Sequence, residues 1–193
     1  MPNHPLQRMN SLSQVAETAQ KANGSAGAAL QILPDAAKLI FRGWPEKIEA
    51  AGAAFGIALP QAACRFVSKG GRAAYWLGPD EWMLQAVGED PAAIAGDLDK
   101  ALSGTGDYSV VDASHRSDAF SVSGPDAGYL LNHGCPLDLS LEQFPVGMCT
   151  RTIFERAAIF LSRPEPTVFH VDVWRSFAPY VWKMLTEAQR ELV

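Results

Sequence analysis

The sequence predicts an α+β fold, a pseudo-twofold duplicated domain of antiparallel sheets covered by helices. Each half has an alternating apolar strand that ends at Gly, then a Pro that opens a short helix, and that helix stops at a second Gly. Further strand segments follow, and a longer amphipathic helix closes each half. Runs of strands with helices placed between them in this way are typical of antiparallel α+β domains.

The internal repeat carries this prediction, because its offset is nearly constant. Equivalent positions are 81, 78 and 83 residues apart for the pairs Gly43 and Gly124, Gly56 and Gly134, and Ile94 and Phe177. Repeated supersecondary units bury their apolar faces against one another. We therefore expect the special surface of the molecule to lie where the halves meet.

The elements of the first half follow from local signals. Residues 37–41 alternate, with Ala37, Leu39 and Phe41 on one face. Pro45 suits the first turn of a helix, and Gly56 suits a left-handed helix end. The remaining predicted elements of this half are strands at 64–67, 73–77 and 82–87 and a helix that opens at Pro91 with apolar residues at every fourth position.

The second half repeats these signals after a Gly-rich seam at 103–107. Its predicted strands are 108–112, 119–123, 150–155, 158–162 and 167–173, and its predicted helices are 125–133, ending at Gly134, and 175–192. Residues 1–31 are polar, rich in small residues and free of aromatics, which predicts a mobile tail. Residues 32–193 then form one duplicated domain, with halves at about 33–104 and 108–192.

Composition excludes several classes of function. The 193 residues are 48% hydrophobic and 19% charged, with a net charge of −5. No Lys/Arg cluster is present, so we expect no nucleic-acid partner. The sequence has no apolar run of the roughly 18 to 20 residues that a membrane span needs and no signal-peptide pattern. Three cysteines fit reduced thiols. We expect a cytoplasmic protein with no membrane partner.

Asp112, Ser114 and His115 are the candidate catalytic set. Alternate residues of a strand point to opposite faces, so this spacing alone does not form a nucleophile, a base and an orienting group. The competing interpretation is that Asp112 or Ser114 accepts hydrogen bonds from backbone N–H groups at a strand end. We favour it, and we predict no catalytic residue in this chain.

Other polar motifs also have structural interpretations. His133 and Cys135 resemble half of a metal site, but no second pair follows at ligand spacing, so we predict no bound metal. Cys64, Cys135 and Cys149 have no activating base nearby in the sequence and are predicted to be inert. The stretch 69–72 lacks the length and ending of a phosphate-binding loop and is predicted to be a hairpin turn.

Two tryptophans occupy strand-to-helix junctions. Trp44 precedes Pro45, and Trp174 precedes Arg175. A Trp beside an Arg combines a large apolar area with a forked donor, as interface anchors do. We predict that Trp44, Trp174 and Arg175 form an interface, with ordinary core packing as the alternative. Trp182, on the closing helix, is predicted to be core.

Five motifs resemble a known family and lie in the same order as in that family. They are Trp76-Leu-Gly-Pro-Asp-Glu-Trp82, Asp112-Ala-Ser-His-Arg116, Gly134-Cys-Pro-Leu-Asp-Leu139, Phe144-Pro-Val-Gly147 and Val173-Trp-Arg-Ser-Phe177. The stretches Val111–Arg116, Val122–Ala127 and Leu130-Leu131 resemble the folate-binding aminomethyltransferase superfamily, which includes the glycine cleavage T protein. Within it, the sequence is most similar to the gamma subunits of heterotetrameric sarcosine oxidase.

The resemblance implies a place in an oxidoreductase complex. That enzyme demethylates sarcosine to glycine, transfers the one-carbon unit to tetrahydrofolate and passes electrons through flavin to oxygen. The partners would be alpha, beta and delta subunits, which would carry FAD, FMN, NAD and tetrahydrofolate. This chain would hold no cofactor and would contribute assembly and stability.

One departure from the superfamily supports a role without chemistry. Working aminomethyltransferases have a Gly-Gly and an acidic cluster in the hairpin that corresponds to residues 150–162, whereas only Glu155 is acidic here. A general base needs a carboxylate within hydrogen-bond reach of the reacting atom. Two alternatives stay open: an independent folate-binding aminomethyltransferase-like protein, and a homo-oligomeric adaptor.

Overall fold

The computed structural model describes residues 11–12, 27–104 and 106–191. Ten strands and four α-helices lie in these ranges. The strands are β1 (Ala29–Ile32), β2 (Ala36–Gly43), β3 (Phe66–Lys69), β4 (Arg72–Gly78), β5 (Glu81–Val87), β6 (Tyr108–Asp112), β7 (Ser117–Ser123), β8 (Cys149–Phe154), β9 (Ala157–Glu165) and β10 (Val168–Trp174). The helices are α1 (Ile48–Phe55), α2 (Pro91–Leu102), α3 (Ala127–Asn132) and α4 (Ala178–Gln189), with a 3-10 turn at Pro45–Lys47.

Two five-stranded antiparallel sheets have the same internal order. The first sheet runs β3-β4-β5-β2-β6, and the second runs β8-β9-β10-β7-β1. Each strand of the first sheet therefore has a counterpart in the second. The duplicated α+β fold predicted from the repeat is confirmed.

The two halves exchange their first strands. β6 begins the second half of the sequence but pairs with β2 of the first half, where Val110 lies opposite Phe41. Likewise β1 begins the first half but pairs with β7 of the second, where Leu30 lies opposite Val122. Neither sheet is complete without a strand from the other half, so the halves are joined through backbone hydrogen bonds as well as by packing.

The predicted boundary of the mobile tail at residue 31 is wrong, because β1 (Ala29–Ile32) lies partly inside it. Leu30 is 5% exposed and packs into the core of the second half, as does Leu12. Composition averaged over 31 residues concealed the short alternating segment that pairs with β7. The rest of the predicted tail, residues 1–10 and 13–26, lies outside the described residues.

The layers are stacked as helices, sheet, sheet, helices. The outer face of the first sheet packs Leu39, Phe41 and their neighbours against α1 and α2, which confirms the predicted facing of β2. The outer face of the second sheet packs against α3 and α4. The inner faces of the two sheets meet through a smaller apolar cluster that includes Tyr75, Met83 and Cys149.

Local chemistry explains where several helices begin and end. Gly56 ends α1 in the left-handed region at φ 77°, as predicted. Asp90 caps α2, since its carboxylate accepts from the Ala92 N–H at 3.0 Å, and Pro91 occupies the first turn. Gly134 does not adopt a positive φ. A Cβ there would lie 2.9 Å from the ring of Phe154, so this glycine is required for close packing rather than for a left-handed cap.

Some predicted boundaries shift for identifiable reasons. The closing helix α4 begins at Ala178 rather than at residue 175, because the Phe177 N–H donates to the Trp174 carbonyl at 2.8 Å and forms a turn first. β3 begins at Phe66 rather than at residue 64, since Cys64 has a positive φ of 57°. In the part of the chain that the structure describes, no helix is both long and apolar enough to cross a bilayer.

A substitution on β1 tests whether this strand is part of the folded body. Leu30→Ala should lower the free energy of unfolding by about 3 kcal/mol, as expected for truncation of a buried leucine. Gln31→Ala, at an exposed position of the same strand, is the matched control and should change it little. Urea unfolding measures both. Equal, negligible effects would show that β1 is not docked in solution.

Candidate functional site

A cleft opens where the two sheets meet. We call it the inter-half cleft; its volume is about 190 Å³, and both halves line it. Ser117 and the Lys38–Asp172 pair form its polar part. Its largely apolar remainder includes Ile40, Leu77, Met83, Ile159, Phe160 and Trp174. Alternation along β2 and β5 explains part of this lining, because Leu39, Trp82 and Leu84, which lie beside the lining residues of these strands, pack into the core under the helices.

An ion pair joins the two halves inside this cleft. Lys38 of β2 is 3% exposed, and its Nζ donates to the carboxylate of Asp172 on β10. The same ammonium donates to the Ser117 carbonyl at 3.2 Å and to the Ser117 Oγ at 3.1 Å. All three N–H donors of the lysine thus have acceptors. A carboxylate held by a buried cation in this way is a poor general base.

Sequence reasoning missed Lys38 and Asp172. The signal was present, because each is a charged residue in the interior of an alternating strand whose other face is apolar. Such a residue must point either to solvent or to a partner layer. The partner could not be identified from the sequence, because 134 positions separate the two residues.

Asp112 and Ser114 form a turn at the end of β6. Ser114 donates to Asp112 Oδ1 from its backbone N–H at 2.8 Å and from its hydroxyl at 2.5 Å. The Ser114 Oγ also accepts from the Lys38 backbone N–H at 3.0 Å. His115 is exposed beside them. The predicted structural interpretation is thus confirmed, since both polar side chains accept from backbone donors at a strand end.

Glu81 bridges the halves at the edge of the cleft. It accepts from Arg42 of β2 at 2.6 Å and from Arg151 of β8 at 2.7 Å. Burial alone would raise the pKa of Glu81, but the hydrogen bonds and charges of the two arginines outweigh it and lower the pKa. Both arginines are largely exposed, so the bridge adds little stability. The Arg151 contact is the part of the bridge that crosses from one half to the other.

Among the cysteine and histidine candidates, Cys149 lies beside Cys64, since its N–H donates to the Cys64 carbonyl at 2.9 Å. Cys149 is buried between the sheets, and burial, with a smaller effect from Cys64, raises the pKa of its thiol to about 12. Cys135 lies in the core of the second half, while the ring of exposed His133 contacts the Tyr129 carbonyl. Among the described side chains, no group of three or more His, Cys, Asp or Glu could hold a metal ion.

The predicted hairpin turn at 69–72 is confirmed. Gly70 and Gly71, both with positive φ, connect β3 to β4. Arg72 then pairs with Glu89 and donates to the Phe55 carbonyl at 2.6 Å. Its guanidinium is therefore engaged within the fold.

The three predicted interface residues occupy different environments. Trp44 is 59% exposed and is not among the residues that line the inter-half cleft. Trp174 is 49% exposed and does line it. Arg175 is half-buried, with its Nε 3.8 Å from the Oδ2 of buried Asp118. The structure thus places Trp174 at the cleft and turns Arg175 toward the fold, while Trp182 is buried in the core as predicted.

The inter-half cleft by itself is smaller than the usual ligand pocket. Pockets for ligands of drug size have volumes of about 300 to 1,000 Å³, whereas this one has about 190 Å³. Glu155, the acidic residue of the hairpin, is exposed in the β8–β9 turn and does not line the cleft. Asp172 does line it, but Lys38 already binds its carboxylate.

Comparison with known proteins gives one family. The model of the sarcosine oxidase gamma subunit family matches residues 42–191. The sarcosine oxidase subunit gamma of Arthrobacter sp is 31% identical over 143 residues, which is 74% of this chain and 69% of the relative. That of Corynebacterium sp. (strain U-96) is 31% identical over 143 residues, 74% of this chain and 68% of the relative.

Solved structures show the same likeness. A chain of heterotetrameric sarcosine oxidase from Corynebacterium sp. U-96, in complex with pyrrole 2-carboxylate, superposes with a TM-score of 0.87 at 28% identity, covering 96% of each chain. The glycine cleavage system aminomethyltransferase T from Bartonella henselae superposes with a TM-score of 0.64 at 15% identity, covering 87% of this chain and 47% of that one. The second comparison shows a shared fold.

Removing one partner of the cleft ion pair should destabilise the protein. Lys38→Met leaves the Asp172 carboxylate without its cation and should lower the free energy of unfolding by about 3 kcal/mol. The double variant Lys38→Met/Asp172→Leu should recover most of that loss, because no charge is left unpaired. Denaturant unfolding of the single and double variants measures this coupling. Additive losses would show that the two side chains do not interact.

Truncation of Ser114 should lower stability, whereas truncation of its neighbour His115 should not. Ser114→Ala removes a buried hydroxyl that bonds to Asp112 and to the Lys38 backbone, and should lower stability by about 1 to 2 kcal/mol. His115→Ala should change neither stability nor turnover of an assembled oxidase. Thermal unfolding measures the stability of both variants, and a turnover assay measures the activity of the complex with His115→Ala. A large loss of turnover in His115→Ala would restore the catalytic interpretation.

Proposed function

Because the chain belongs to the sarcosine oxidase gamma subunit family, as its motifs predicted, we propose that it is the non-catalytic gamma subunit of a heterotetrameric sarcosine oxidase. Its partners would be alpha, beta and delta subunits in the cytoplasm. The complex would demethylate sarcosine to glycine and transfer the one-carbon unit to tetrahydrofolate. FAD, FMN, NAD and tetrahydrofolate would be bound by the other subunits.

The closed Lys38–Asp172 pair is the observation that carries the non-catalytic part of this proposal. A general base must be able to accept a proton from a substrate. Asp172 faces the cleft with its carboxylate already bound by a buried ammonium, and that ammonium is held by Ser117. Freeing the carboxylate would leave a buried charge without a partner, which costs several kcal/mol. The cleft therefore supports stability more than chemistry.

The contribution we propose for this chain is contact. Trp174 combines a large exposed apolar surface with a place at the mouth of the cleft, as expected of an anchor that becomes buried on assembly. Exposed Trp44 is a second candidate anchor. Arg175 remains a candidate through its partly exposed guanidinium, although its pairing with Asp118 also gives it a role within the fold.

Reconstitution tests the proposed function. The purified chain should be colourless and inactive toward sarcosine. When it is added to the other oxidase subunits prepared without it, it should join them in one complex and raise their turnover. The proposal would be wrong if the chain alone oxidised sarcosine, or if it failed to associate with any of these subunits.

An independent folate-binding protein is the second candidate, favoured by the fold shared with aminomethyltransferase T. Calorimetry with tetrahydrofolate on the isolated chain separates the two. Micromolar binding would support this candidate, and no binding would support the first.

Trp174→Ala should weaken assembly more than it weakens the isolated fold. Interface anchors of this type contribute at least about 2 kcal/mol, so the dissociation constant of the complex should rise by more than about tenfold. Tyr129→Ala is the matched control, because Tyr129 is an even more exposed aromatic on α3. Binding of each variant to the other subunits, together with its Tm, is measured. If the Tm of the isolated Trp174→Ala variant falls well below that of wild type, its loss of assembly would reflect a weakened fold, and Trp174 would be a core residue.

A further inference from the structure

Arg116 differs from the other cations around the cleft. Lys38 is paired with Asp172, and Arg42 and Arg151 are both paired with Glu81. Within the ranges that the structure describes, no carboxylate oxygen lies within ion-pairing distance of Arg116. Its side chain lines the inter-half cleft and is exposed at the mouth. Among the described residues, the guanidinium of Arg116 at the mouth therefore has no ion-pair partner.

The position of Arg116 is fixed before any partner arrives. Its guanidinium carbon lies 5.0 Å from the centre of the Trp174 ring, a cation–π contact. Its backbone N–H donates to the Ala113 carbonyl at 3.0 Å, and its carbonyl accepts from the Arg175 N–H at 3.2 Å. Stacking on an aromatic face leaves the in-plane N–H donors available for a carboxylate, which a guanidinium can bind through two parallel hydrogen bonds.

The space behind Arg116 is small and, apart from Ser117 and the Lys38–Asp172 pair, mainly apolar. Ile40, Met83 and Phe160 line it, and its volume of about 190 Å³ is below that of ligand pockets of drug size. A side chain, rather than a cofactor, matches this volume. An apolar side chain would exchange water for hydrocarbon contacts there.

A shallow groove continues from the cleft along β6. It shares Ile40, Ala113 and Arg116 with the cleft, and exposed Val111 forms part of it. An extended chain could therefore continue past Arg116 on this side. The cleft, the guanidinium and the groove together favour a peptide segment over an isolated small molecule.

We propose that the mouth of the inter-half cleft is a docking site for a segment of a partner subunit that carries an apolar residue next to an Asp or Glu. The apolar side chain enters the cleft, and the carboxylate binds the guanidinium of Arg116 where it stacks on Trp174. This inference rests on the proposed function, because the occupant is taken to be a chain of the same complex.

Charge reversal tests the docking site on the full chain with the remaining oxidase subunits. Arg116→Glu should weaken assembly by at least about tenfold, because it places like charges at the contact. Arg156→Glu, in the exposed β8–β9 turn and outside the cleft lining, is the matched control and should assemble like wild type. Both variants should keep the wild-type Tm. Changing the acidic residue of the partner segment that contacts Arg116 in wild type to Lys should restore assembly of Arg116→Glu.

Each other result would overturn the docking site. Wild-type assembly by Arg116→Glu would show that the guanidinium does not bind the partner. If assembly of Arg116→Glu is lost and its Tm also falls well below that of wild type, the loss would show a role of Arg116 in folding alone. If assembly is unchanged while calorimetry shows that wild type binds hexanoate and Arg116→Glu does not, the occupant is a small carboxylate. Failure of the wild-type chain to assemble would instead contradict the proposed function as a whole.

Discussion

The exchange of first strands between the halves is the constraint on which the rest of the structure depends. Because β6 completes the first sheet and then leads directly to β7 in the second, the connection between them must cross the line where the sheets meet. That crossing contains Ser114 and Arg116, one bonded to the backbone of β2 and the other at the mouth of the cleft. The exchange thus determines both how the halves are joined and what lines their junction.

The same arrangement supports the proposal that the junction provides contact rather than catalysis. Packing two sheets face to face places inner-face residues in a layer with little water, where a charge needs a partner. Lys38 and Asp172 meet this need for each other across the halves, and the Glu81 bridge holds the edge. Trp174 and the guanidinium of Arg116 are exposed beside this pair.

Much of the fold could be predicted from the sequence, since its signals are local. The period of two in β2, the glycine that ends α1 and the proline that opens α2 act over a few residues, and the repeat offset revealed the duplication. The exchanged strands could not be predicted, because strand alternation specifies a face but not a pairing partner. The Lys38–Asp172 pair was missed for the same reason. The repeat predicted that a special surface lies where the halves meet, but it did not identify the residues that line the cleft.

Turnover of an assembled oxidase that contains the Lys38→Met/Asp172→Leu double variant tests the central claim most directly. This change removes the cleft carboxylate without leaving an unpaired charge. If the chain contributes contact, the complex should form and its rate of sarcosine oxidation should stay close to wild type. A fall on the order of 10²-fold to 10⁴-fold in a complex that still assembles, the size expected for loss of a general base, would contradict this account.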